Sequence, residues 1–319
     1  MRRRTLRRLI APLAAFALVL AACADDDADT PDDTDAPADG DDGDAAADVP
    51  DGPTIVIASF DFAESTILAE IYGQALEHAG YPVDRELNIG SRELIFPELE
   101  DGNIDLLPEY LGSALVTGFG EEPPEDTASG QDALVTAFEG MQVTVLEPAP
   151  AENRNVFVTT ADFAEEHGLT SVADLAGAGE VVFGGPPECE DRDTCFRGLQ
   201  EVYGLDNVTF ESIGEASARL VALTEGENQL TLLFSTDAVL ADDSLVVLEE
   251  PEGMIPPENI VPVLRTEIVD VYGDDLTSLL DRVSAELTTE VLIQLNERAG
   301  EGIAPDTIAS DWLADAGLV

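Results

Sequence analysis

The chain has 319 residues, with 67 Asp plus Glu against 14 Arg, no Lys, and a formal net charge of −53. Such a field excludes attraction by charge to nucleic acid or to an anionic lipid surface. The body from residue 54 to 319 is long enough for one large or two medium domains around real cores.

Arg2, Arg3, Arg4, Arg7 and Arg8 precede an apolar run from Leu9 to Ala22, and LAAC (Leu20 to Cys23) closes it. That order reads as a signal peptide over 1–22 ending in a lipobox, with Cys23 the lipidated first residue of the mature chain. The rival reading is an ordinary signal peptide with an incidental cysteine. Residues 23–53 hold thirteen Asp and nothing large, so a disordered, self-repelling acidic tether is expected there. The spacing and closing Glu of a calcium-binding loop are absent from it. Loss of 1–22 would remove five Arg and no acid, leaving 9 against 67, a formal −58. Spread over a folded surface of this size, neighbouring carboxylates stand roughly 14 Å apart, near the ~10 Å Debye length at 0.1 M salt. The balance is that of a halophilic exported protein, and solubility in brine explains it without any metal site.

Strand and helix signals then alternate. TIVIASF (54–60) reads as a strand and 64–80 as a helix, with Ile67, Ile71 and Ala75 on one face and Gly80 at its C-terminal cap. A strand at Val83 to Leu87, a helix from Ser91 shortened or kinked by Pro97, and a strand at Ile104 to Leu107 complete a βαβαβ opening. A proline-rich break within 141–160 leads to a second βα series, a further break at 249–259 leads to the strand IVPVLR, and three helical segments follow. The alternation implies an α/β protein with mostly parallel sheets. Two crossings imply two lobes joined by two strands, with a ligand cleft between them.

The chain carries no G-x-S-x-G, P-loop, H-E-x-x-H or G-x-G-x-x-G signature. His78 and His167 lie at helix C-termini, where they suit the dipole, and Trp312 reads as a packing anchor. Cys189 and Cys195 in GPPECEDRDTCFRG read as an exported disulfide pair rather than a metal site. Arg192 between them is a fork for a carboxylate or, alternatively, the partner of its flanking acids Asp191 and Asp193.

Several stretches resemble the substrate-binding proteins of osmoprotectant ABC importers, which take up glycine betaine, choline and related solutes. They are ASFDFAES with ILAEIYGQAL, DGNIDLLPEYLGSAL, GLTSVADL, ECEDRDTCFRGLQEVYG, ALTEG, FSTD, IPPENIVPVLR and the tail LTTEVLIQLNERAG with IASDWLADAGLV, in family order over 54–319. The resemblance implies the type II periplasmic-binding-protein fold, with lobe I at 54–148 plus 258–319 and lobe II at 150–250. Tyr110 matches the tyrosine of the family's E-Y-T-G-T motif, one wall of an aromatic cage for trimethylammonium. Ser113 matches the threonine that contacts the ligand carboxylate, Arg192 matches the arginine of E-x-x-R-P-D-G, and Phe234 falls where the family often has an aromatic residue. Elsewhere the chain departs: Phe60 replaces a lysine that pairs with carboxylate, and Asn155 and Leu220 fall near cage tyrosines. Phe60, Phe62 and Phe157 are the residues that would rebuild the cage.

The resemblance implies a lipid-anchored, extracytoplasmic receptor, not an enzyme and without a cofactor. It would deliver a quaternary-ammonium solute to separate permease and ATPase subunits. The alternatives are a receptor for a different zwitterionic or amino-acid-like solute held by Arg192, Ser113 and Asn155, an exported enzyme on a two-lobed α/β scaffold, and a ligandless surface lipoprotein.

Overall fold

The computed structural model describes residues 51–319. The expected signal peptide, Cys23 and nearly all of the tether lie outside the described residues. In chain order the strands are β1 (Ile55–Phe60), β2 (Val83–Gly90), β3 (Leu106–Tyr110), β4 (Val143–Val145), β5 (Asn155–Thr160), β6 (Val181–Gly185), β7 (Val208–Ser212), β8 (Leu230–Phe234), β9 (Leu245–Leu248) and β10 (Ile260–Arg265). The α-helices are α1 (Ala63–His78), α2 (Arg92–Glu100), α3 (Leu111–Ser113), α4 (Thr127–Phe138), α5 (Ala161–His167), α6 (Phe196–Glu201), α7 (Ala216–Thr224), α8 (Thr266–Tyr272), α9 (Asp274–Glu286), α10 (Thr289–Gly300) and α11 (Pro305–Asp315).

Two five-stranded sheets result, ordered β2-β1-β3-β10-β4 and β7-β6-β8-β5-β9. In the first, β1 runs parallel to β2 and β3, while β10 returns antiparallel between β3 and β4. In the second, β6 is parallel to β7 and β8, and β5 is antiparallel to β8 and β9. Each sheet builds its own core, and α1 is buried on nearly every side because β1, α9, α10 and α11 all pack on it. That helix therefore tolerates apolar residues outside the single stripe that periodicity picks out.

The third strand starts and ends later than expected, running through Pro-Glu-Tyr to Tyr110. Pro108 is tolerated in an interior strand because it stands opposite Pro262 of β10. Two prolines face each other only in a non-hydrogen-bonded antiparallel pair, where neither backbone nitrogen is needed by the partner. β2 likewise continues to Gly90. Four helices rather than three close the chain, since Gly273 (φ +72°) separates α8 from α9 by one residue. α2 is nine residues long and runs three residues past Pro97.

The chain passes between the sheets twice, at 146–154 and 249–259, and the two crossings pair with each other. Asn153 N–H donates to Glu258 C=O and Ile260 N–H to Ala151 C=O, each at 3.0 Å, around a bridge between Glu152 and Asn259.

Candidate functional site

The ends of β1, β3, β5 and β8 and the start of α2 surround a cleft between the lobes with about 750 Å³ of unfilled space, part of it open to solvent. Tyr110, Ser113, Arg192, Phe234, Phe60 and Asn155 all line it. Phe157 does not. It shares a strand face with Asn155 but lies two residues deeper, about 7 Å down the strand, and is buried against Phe183. Leu220 is half-buried on α7, away from the cleft lining.

Four rings meet on the walls. Phe62 lies 5.8 Å from both Tyr110 and Phe234 and 6.1 Å from Phe60, and Phe60 lies 6.3 Å from Tyr110. Three come from the first lobe, at the exits of β1 and β3 and the cap of α1, and Phe234 comes from the second. These separations are those of interacting rings. Arg92 stands with its guanidinium carbon 5.0 Å above the Phe60 ring.

Acids hold this wall in place from behind. Glu64, in the first turn of α1 and 3% exposed, accepts from Tyr110 Oη at 2.9 Å and from Asn153 Nδ2, Thr236 Oγ1 and Asn296 Nδ2, each at 2.6 Å. Burial raises its carboxyl above the usual range, and the four donors oppose that rise. Burial, and then the neighbouring Glu64 charge, raises the Tyr110 phenol well above its ordinary value, so the phenol is the donor. Glu109 holds Arg92 through two bonds of 2.6 and 2.7 Å and accepts from the Tyr110 N–H at 2.5 Å. The Pro-Glu-Tyr end of the strand is thus explained: the acid pins an arginine while the tyrosine spends its hydroxyl on a second acid and turns its ring to the cleft.

Ser113 is placed by a close approach of backbone. Gly112 donates to Pro257 C=O at 3.1 Å, and a Cβ there would lie 2.3 Å from Pro256 Cγ and 2.7 Å from Pro257 O, so only glycine fits. The contact lays Ser113 on Glu258, which accepts from its N–H at 2.9 Å and its hydroxyl at 2.6 Å. Glu258 is 2% exposed and lines the cleft. Burial raises its carboxyl to about 7 against the opposing Ser113 donors and Arg92 charge.

Cys189 and Cys195 form a disulfide, Cα–Cα 5.3 Å. Its loop presents Arg192, whose partner is neither Asp191 nor Asp193 but Glu93 of the other lobe, at 3.2 Å to both carboxylate oxygens. Arg192 Nε is buried without a partner. Asn155 Nδ2 donates to Thr194 C=O at 3.3 Å and is Phe234's register partner. Glu64, Glu93, Glu109 and Glu258 escaped the sequence reading, because one acid among 67 carries no signal by type, and Arg92 escaped it because it stands in no motif that marks it.

The OpuAC family, described as the substrate binding domain of ABC-type glycine betaine transport system, matches residues 53–315. A glycine-betaine-binding protein of Pseudomonas aeruginosa is 28% identical over 287 residues, covering 86% of this chain and 91% of that protein. The glycine betaine-binding protein YehZ of Escherichia coli is 27% identical over 270 residues, covering 80% and 88%. The crystal structure of a glycine betaine/carnitine/choline ABC transporter protein superposes with a TM-score of 0.67 at 22% identity, over 83% of this chain and 99% of that one, which places the two-lobed fold. With the profile spanning nearly the whole described body, the chain belongs to the family of substrate-binding domains of ABC-type glycine betaine transport systems.

Proposed function

We propose that the protein is an extracytoplasmic receptor, tethered through lipid on Cys23, that closes its lobes on a small quaternary-ammonium solute and delivers it to a permease driven by a separate ATPase. The observation that carries this reading is the group of four rings, Phe60, Phe62, Tyr110 and Phe234, drawn from both lobes onto one cleft. Aromatic faces are negative at their centres and hold an onium group that has shed its water. The relatives named for glycine betaine support the solute class. Cys23→Ser is expected to release the protein from membranes or leave the precursor uncleaved, and unchanged fractionation and migration would remove the anchor.

A second reading, a zwitterionic or amino-acid-like solute, is favoured by the buried, unpartnered Nε of Arg192, which suits an acceptor oxygen. Calorimetric titration of quaternary amines and amino acids in molar salt separates the two. Tyr110→Ala is expected to weaken a quaternary amine by about 1–2 kcal/mol, roughly five- to thirtyfold. Unchanged affinity would make Tyr110 a packing residue and remove the onium reading.

A further inference from the structure

One acid on the cleft wall is left over by that reading. Glu258 is 2% exposed and takes part in none of the ion pairs among the described residues. A carboxylate has about four lone-pair sites, and Ser113 fills two of them. The two arginines on the wall are already committed, Arg92 to Glu109 and Arg192 to Glu93. Glu258, Asp61 and Glu188 therefore leave the lining negative.

We propose that Glu258 determines specificity, selecting a quaternary ammonium that carries a hydrogen-bond donor, an alcohol of the choline kind, over one that carries a carboxylate. The inference rests on the onium reading above. Its ground is the use made of Ser113, whose resemblance-based role was to meet a ligand carboxylate. Both of its donors are spent on Glu258, so a carboxylate brought to that end of the cleft meets a like charge in a water-poor wall, where repulsion is strong. A hydroxyl brought there donates to the free lone pairs of Glu258 and forms a charge-assisted bond.

The test titrates choline and glycine betaine into the protein calorimetrically at pH 8 in molar salt. The wild type is expected to bind choline at least about tenfold tighter than glycine betaine, and Glu258→Gln to bring the two within about threefold. A wild type that prefers glycine betaine, or a ratio unmoved by Glu258→Gln, would overturn the role of Glu258 while leaving the receptor reading intact. Binding of neither probe, nor of any other quaternary amine, would overturn the onium reading and this inference with it. Should Glu258→Gln not fold, the wild type is titrated from pH 6 to 8. The choline preference is expected to grow as Glu258 ionises, and a flat ratio would overturn the role. The charges acting on Glu258 are those of Arg92 and Glu109. Glu64 behind Tyr110 is a second acid raised by burial, and neither histidine lines the cleft.

Discussion

Arg192 and Glu93 stand 99 positions apart, yet one guanidinium nitrogen donates to both oxygens of the Glu93 carboxylate at 3.2 Å, joining the disulfide loop of one lobe to the first turn of α2 in the other. Burial works to raise the Glu93 carboxyl, but the Ser91 hydroxyl, the backbone and Arg192 together hold it at about 2, so the pair stays charged through mild acid. Half of the Glu93 side chain is solvated, which limits the pair to about 0–1 kcal/mol. Glu93→Ala is expected to shift the ligand-free protein towards an open form by up to about fivefold, visible as a larger radius of gyration in X-ray scattering. An unchanged radius would mean that the pair does not latch the lobes.

The Tyr110 hydroxyl and ring have separate duties, and two substitutions divide them. Tyr110→Phe keeps the face towards the cleft but takes one donor from the buried Glu64. A loss of about 1.5–3 kcal/mol in denaturant unfolding, with solute affinity within about threefold, is expected. Affinity that falls as far as in Tyr110→Ala would place the hydroxyl, not the ring, against the solute.

Glu258 makes stability depend on pH with a defined sign. Its carboxyl is raised to about 7 from 4.5, so between those values the folded state binds more protons than the unfolded chain, and stability falls as pH rises. The loss is complete above about pH 7 and reaches about 3 kcal/mol. Glu258→Gln is expected to remove that part of the slope in urea unfolding from pH 4.5 to 7.5. A slope identical to wild type would show that the carboxyl titrates normally.

What was legible in the sequence follows from how much a residue type narrows its own role. Tyr110, Phe60, Phe234 and Arg192 are scarce types at strand ends or in a cysteine loop, and all four reach the cleft. Glu64, Glu93, Glu109 and Glu258 belong to an abundant type that is solvated by default, and only tertiary contact separates them from the surface acids. Glu258 did carry a local hint: it follows Pro256 and Pro257 at the point where the chain re-enters the first sheet. Phe157 went the other way. Strand alternation gives the face of a side chain but not its depth along the strand, and the second position from the cleft end is already core.

The disulfide fixes the loop that holds Arg192. Closing a loop of about seven residues contributes roughly 2.4 kcal/mol by the chain-entropy estimate. Reduction is expected to lower the melting temperature and weaken solutes with an acceptor oxygen. Two free thiols titrated in the unfolded, unreduced, Cys23-less protein would show that Cys189 and Cys195 are not joined.

The acid excess predicts a fold that needs salt. With 67 acids against 14 arginines, screening relieves repulsion across the surface. Melting temperature is expected to climb as salt rises from about 0.1 M to several molar, and a flat profile would leave the composition without a physical role.

The paired crossings reach beyond connectivity. Because Asn153 and Ile260 bond the two strands to each other, they bend as a single ribbon, and sliding one lobe past the other would break those bonds while flexing would not. An opening of the lobes would thereby be reduced to rotation about one axis. Glu258 lies in that ribbon and its side chain faces the cleft, so the axle of the movement and the surface that meets the solute share a residue. On the receptor function proposed above, occupancy would be converted into an angle without any intermediate lever, and an angle is a quantity that a partner touching both lobes can read.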